Sequence, residues 1–100
     1  MSFGEYLKSC RLSSGQTQKD LAEKAGVTIP YISKLERGKE EPPSEETCIK
    51  LAAALNEDPY IMIVKAGKMP SDFQQVILND QDAFNYLKRK SKARLAQGGN

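Results

Sequence analysis

The spacing of small and apolar residues around Gly26 restricts the fold of this chain more than any other feature. Two segments with apolar residues at three- and four-residue spacing flank this glycine and are separated by a very short connection. Ala22 is small where a second helix must cross the first. Gly26 stands where the turn needs the left-handed backbone conformation, in which a side chain would cost about 1 kcal/mol or more. The apolar positions that such a pair of helices must bury are all filled, by Leu21, Val27, Ile32 and Leu35. The pattern predicts a helix-turn-helix unit.

The rest of the chain also divides into short helical segments. Capping residues, prolines and glycines predict seven helices that begin near residues 3, 17, 28, 44, 58, 70 and 80, and a frayed tail over residues 97–100. The run 61–64 could form a short strand by composition, but its place between Asp58-Pro59 and Gly67 favours a helix. Because no segment alternates between apolar and polar residues, we predict an all-α fold.

Composition excludes several classes of function. The chain has no histidine, which removes the usual general base and the commonest metal ligand, so we predict that it is not an enzyme. Cys10 and Cys48 cannot complete a zinc site alone and lie among apolar residues at helical spacing. They are predicted to be buried thiols, with a disulfide as the alternative. Neither a signal peptide nor a membrane-spanning run is visible, which predicts a cytoplasmic, nucleoid-associated protein.

The segment that begins at Gln18 resembles a known family. Residues 18–38 follow the order Q-x-x-L-A-x-x-x-G-V-x-x-x-x-I-x-x-L-E-x-G. This order is similar to that of the XRE family, the lambda repressor-like helix-turn-helix regulators. The resemblance extends over about residues 3–67 and implies a five-helix DNA-binding domain over residues 1–68. Residues 69–100 are then a two-helix C-terminal extension.

The resemblance also implies which residues contact DNA. Base-reading positions of the family match five residues here: Thr28, Ile29, Pro30, Ser33 and Lys34. Phosphate contacts are expected from four others: Thr17, Gln18, Arg37 and Lys39. The helical period agrees, because it places Ile29, Ser33 and Lys34 on the side of their helix opposite to the core. Arg11 and Glu36 match a buried structural ion pair.

The C-terminal extension carries two further features. Apolar residues at three- and four-residue spacing predict a dimerisation face, made of Phe73, Val76, Ile77, Phe84 and Leu87. A basic run over residues 88–94 either stays solvated at the end of its helix or adds phosphate contacts beside the operator.

These observations predict a sequence-specific regulator of transcription. The chain is expected to act as a repressor that binds double-stranded DNA as a homodimer, without a cofactor, a metal, a membrane or a small-molecule effector. The alternative is an antitoxin or adaptor that uses the same fold to hold another protein through residues 69–95. DNA selection and the mass in solution discriminate between the two.

The distribution of charge agrees with a DNA-binding surface, although the net charge of +2 is uninformative. Residues 8–39 hold seven basic and three acidic residues, a net charge of +4. Residues 40–58 hold one basic and six acidic residues, a net charge of −5. The helix-turn-helix segment would therefore present a positive field to phosphates, with the acidic segment on the far side.

Overall fold

Seven α-helices make up the chain in a computed structural model that describes residues 1–98. The helices are α1 (Phe3–Ser13), α2 (Gln18–Ala25), α3 (Ile29–Glu36), α4 (Glu45–Leu55), α5 (Pro59–Lys65), α6 (Ser71–Asn79) and α7 (Gln81–Gly98). Residues 1–98 contain no strand, and the run 61–64 lies inside α5. The prediction of an all-α fold is confirmed.

The first five helices begin at polar capping residues, of which the sequence marks all but Ser2. The side chains of Ser2, Thr17, Thr28 and Ser44 each accept a hydrogen bond from a backbone N–H in the first turn of α1 to α4. The Asp58 side chain accepts in the same way from the N–H of Tyr60 at the start of α5. These bonds satisfy donors that the helix itself leaves without a partner, and each cap contributes about 1 kcal/mol.

The first unit of the chain, Met1–Lys68, is built around one core that all five of its helices share. Each helix contributes a side chain with no exposed surface: Leu7, Leu21, Ile32, Leu51 and Met62. Cys48 is also fully buried, whereas Cys10 is only half-buried against the core, less than predicted. Both cysteines are free thiols, so the alternative of a disulfide is wrong.

Gly4 permits a close approach between the start of α1 and the end of α3. A Cβ atom at this position would lie 2.4 Å from the carbonyl oxygen of Leu35 and 2.7 Å from that of Glu36. Both distances are below van der Waals contact, so only glycine allows α1 to lie this close. The position of α3 therefore depends on a glycine that the sequence pattern did not single out.

The second unit begins at Met69 and contains α6 and α7. No residue of α6 is buried, and an apolar groove of about 390 Å³ lies between the two helices. Helix α7 continues to Gly98, so residues 97 and 98 are helical where a frayed tail was predicted. The difference follows from composition, since Lys, Arg, Ala and Gln before this point are strong helix formers. The predicted tail at residues 99–100 lies outside the described residues.

Candidate nucleic-acid interface

The turn between α2 and α3 has the geometry that its sequence requires. Gly26 ends α2 with φ 71° and ψ 33°, in the left-handed region, as predicted. The N–H of Val27 donates to the carbonyl of Ala22 at 3.0 Å, which closes the end of α2 before Thr28 caps α3. Ala22, at 2% exposure, lies buried beneath this turn. The two helices are thus held at a fixed angle by a connection of three residues.

The outward side of α3 carries the predicted base-reading residues. Ile32 and Leu35 are 0% and 2% exposed, which fixes the inward face of the helix. Four of the five predicted residues, Thr28, Ile29, Pro30 and Lys34, are exposed, and Ser33 is half-buried. Ile29 is 43% exposed, an unusual solvent exposure for an isoleucine at the start of a helix. The structure brings these five residues together along one helix.

Two of the predicted contact residues hydrogen-bond to each other. The Arg37 Nε–H donates to the Ser33 hydroxyl at 3.3 Å, one helical turn apart. The sequence predicts separate roles for the two residues, with Ser33 at the bases and Arg37 at the phosphates. Their spacing of four residues is one at which side chains on a helix can hydrogen-bond to each other. The bond orients the Arg37 guanidinium along the exposed side of α3. Lys39, two residues further on, is exposed in the loop that follows.

The two predicted phosphate contacts at the start of α2, Thr17 and Gln18, also form hydrogen bonds within the domain. Thr17 and Asp20 form a reciprocal capping box, with both hydrogen bonds at 3.0 Å. The pKa of Asp20 lies below its ordinary value because the backbone N–H of Thr17, and then its side chain, hydrogen-bond to the carboxylate. Gln18 is half-buried and its amide donates to Glu36 Oε1 at 3.1 Å. Thr17 stays exposed beside the positive end of the α2 dipole.

A buried ion pair fastens the end of α3 to α1. Arg11 Nε donates to Glu36 Oε2 at 2.6 Å and Arg11 Nη2 donates to Glu36 Oε1 at 2.9 Å. The two side chains are 9% and 3% exposed. Hydrogen bonding to this carboxylate raises the pKa of Arg11 above its already high ordinary value. Arg11 Nη1 also donates to the carbonyl of Gln16 at 2.9 Å, ahead of α2. One charged network therefore joins α1, α2 and α3, as the resemblance implied for Arg11 and Glu36.

Other kinds of site find less support in the part of the chain that the structure describes. It contains no group of three or more carboxylate or cysteine side chains that could hold a metal ion. None of the helices over residues 1–98 combines the length and the apolar character that a membrane crossing requires.

The predicted dimerisation residues fall into two groups. Four of them, Phe73, Val76, Ile77 and Leu87, line the apolar groove between α6 and α7, together with Ala83 and Tyr86. Phe84 is 44% exposed but does not line the groove. The groove face of the second unit therefore concentrates partly exposed apolar side chains.

A short glycine turn, a buried inward face and an exposed polar and apolar outward face on α3 define a helix-turn-helix domain. The sequence model of the family described as Helix-turn-helix matches residues 7–61. The chain belongs to this family and to its XRE branch of lambda repressor-like regulators.

Relatives and solved structures agree with this assignment. The chain is 36% identical to a prophage-derived HTH-type transcriptional regulator, YonR, of Bacillus subtilis, over 82% of the chain and 73% of the relative. It is 35% identical to an HTH-type transcriptional regulator of Mycobacterium tuberculosis, over 73% of the chain but only 52% of the relative. The chain thus spans about half the length of that relative. The crystal structure of the restriction-modification controller protein C.AhdI from Aeromonas hydrophila superposes with a TM-score of 0.56 at 33% identity, over 60% of the chain and 89% of C.AhdI.

Proposed function

We propose that this protein is a sequence-specific regulator of transcription that binds double-stranded DNA through α3. The observation that carries the proposal is the outward side of α3, which presents Ile29, Ser33 and Lys34 from a helix anchored at both ends. Gly26 and the Thr28 cap fix its start, and the Arg11–Glu36 pair fixes its end. A rigid exposed helix of this kind fits the major groove of B-DNA.

The proposed contacts divide into base readout and phosphate binding. Lys34 can donate to guanine O6 or N7, while Ile29 and Pro30 supply apolar atoms for thymine methyl groups. The Thr28 hydroxyl accepts from the Tyr31 N–H at 3.2 Å and keeps its own hydrogen for a base acceptor. The phosphates are proposed to contact Thr17, Gln18, Arg37 and Lys39. Because Gln18 uses only one of its amide hydrogens on Glu36, the other remains for a phosphate oxygen.

Lys34→Ala should weaken binding by about 1–3 kcal/mol and relax the preference at one base position. The measurement is selection of bound sequences from a randomised duplex pool, followed by affinity measurements on the selected operator and on its single-base variants. Lys39→Ala is the matched control, because removing a phosphate-binding side chain should weaken binding to all sequences by a similar factor. A uniform loss for Lys34→Ala would contradict base readout. Failure of the native protein to enrich any sequence would contradict the proposed function.

The groove of the second unit supports a homodimer as the DNA-binding form. A single α3 covers few bases, whereas two copies related by a two-fold axis would reach half-sites about 34 Å or 10 bp apart. We propose that the groove faces of two copies pack together through Val76, Leu87 and their apolar neighbours. We propose a repressor because a dimer bound to its operator excludes other proteins from that DNA by its presence alone.

Val76→Asp should convert the dimer to a monomer of 11.1 kDa in solution, because it places a charge inside a fully apolar groove. Without the second half-site, operator binding should weaken by about 100-fold or more. Leu78→Asp is the matched control on the same helix, since Leu78 is 68% exposed and does not line the groove. Light scattering and operator titration of the two variants decide the result. Equal behaviour of both variants would contradict dimerisation through the groove, and a monomeric native protein would favour a different protein as its occupant.

A further inference from the structure

The segment 88–94 of α7 is basic around most of its circumference. Five of the seven residues over 88–94 are basic, namely Lys88, Arg89, Lys90, Lys92 and Arg94. All five are exposed. At about 100° per residue they spread over about 240° of the helix, and the two other residues of the segment, Ser91 and Ala93, are small. This part of α7 differs sharply from its first seven residues, three of which line the apolar groove.

Nothing in the neighbouring sequence neutralises this charge. No acidic residue follows Asp82 anywhere in the chain, so none of the five basic residues has a carboxylate within four positions. Lys88 and Lys92, and likewise Lys90 and Arg94, are like charges one helical turn apart, which destabilises a helix. The salt bridges Arg11–Glu36 and Lys50–Glu46 do not involve this segment. The segment therefore gains no stability from pairing along its own helix, and its charge stays available to an external partner.

One side chain of the basic segment contacts a residue that lines the groove. The Nζ atom of Lys90 lies 5.6 Å from the centre of the Tyr86 ring, and Tyr86 itself lines the groove. This cation–π contact joins Lys90 to the groove lining one helical turn earlier. The position of the positive charge is therefore tied to the position of the proposed dimer face.

We propose that residues 88–94 of α7 are a second nucleic-acid contact, which binds the phosphate backbone of duplex DNA without reading its sequence. The inference rests on the proposed function, because α3 would bring the chain to DNA. Because the basic segment belongs to the same chain as α3, DNA binding by α3 raises its local concentration around the bound duplex. Five long lysine and arginine side chains match a row of phosphates, which are the densest array of negative charge available there. Such contacts add affinity and leave sequence preference to α3.

The test compares two variants in which all five positions change. The neutral variant carries K88Q, R89Q, K90Q, K92Q and R94Q, and the charge-preserving control carries K88R, R89K, K90R, K92R and R94K. Affinity is measured against salt concentration for the selected operator and for an unrelated duplex of the same length. If three or four phosphates are contacted, the slope of log K against log salt should become shallower by about 3 in the neutral variant. Affinity for both duplexes should fall by a similar factor, about 10- to 100-fold at physiological salt, and the control should match the native protein.

Three results with these variants would overturn the proposal. They are an unchanged salt slope, a loss confined to the selected operator, or a change in the mass of the neutral variant, which would show a structural role. Tighter binding of the native protein to vesicles of one part phosphatidylserine and three parts phosphatidylcholine than to the unrelated duplex would assign the segment to membranes instead. Failure of the proposed function can be told apart from failure of this inference. If the native protein selects no sequence, but its salt slope on the unrelated duplex still differs from that of the neutral variant, only base readout by α3 is contradicted.

Discussion

Replacing Glu36 with alanine should lower the free energy of unfolding by about 3–5 kcal/mol, because it leaves the buried Arg11 guanidinium without its counter-ion. Arg11 keeps only the Gln16 carbonyl as a hydrogen-bond partner, at 2.9 Å, and Gln18 loses the acceptor of its amide as well. For a domain of this size the change corresponds to a fall in Tm of about 15–30 °C. Urea titration monitored by circular dichroism, together with calorimetry, measures both quantities.

The exposed pair Lys50–Glu46 provides the matched control. Its atoms are 3.6 Å apart and its side chains are 56% and 82% exposed, so Glu46→Ala should cost about 0.5 kcal/mol or less. The double variant Arg11→Met, Glu36→Leu should recover most of the loss, because apolar side chains replace both charges together. If Glu36→Ala and Glu46→Ala had similar effects, the Arg11–Glu36 pair could not be the fastening between α1 and α3 that the structure shows.

The helix-turn-helix unit could be predicted from the sequence because its constraints are local. Ala22 and Gly26 are required by contacts with residues only a few positions away in the chain. The spacing of apolar residues determines which side of α3 faces inward. The caps at Thr17, Thr28 and Ser44 are local as well, since each bonds a backbone N–H three residues ahead.

The features that escaped prediction depend on contacts between distant residues. Gly4 meets the end of α3 more than 30 positions away, and no pattern within α1 indicates this. The bond from Gln18 to Glu36 spans 18 positions and gives a residue expected at the phosphates a structural partner as well. The burial of Cys10 also depends on distant residues. Its helical spacing indicates that it lies on the inward side of α1, but not how much of it the other helices cover.

Replacing Gly4 with alanine should also destabilise the fold, by about 1–3 kcal/mol, although the same change inside a helix ordinarily stabilises by about 0.5–1 kcal/mol. The reason is the added Cβ, which would meet the backbone carbonyl oxygens of Leu35 and Glu36. Backbone atoms cannot rotate away as a side chain can, so α1 and α3 must move apart.

The displacement should reach the proposed DNA-binding surface, because α3 carries both the contacted carbonyls and Lys34. Binding geometry tolerates shifts of only about 0.5 Å, so operator affinity of the folded Gly4→Ala protein should fall by about tenfold. Chemical denaturation and operator titration are measured on this variant and on Ser9→Ala, an exposed position of α1 that reports helix propensity alone. A gain in stability for Gly4→Ala equal to its propensity advantage would contradict the close approach of the two helices. Lower stability with unchanged operator affinity would show that α1 yields to the new methyl group while α3 keeps its place.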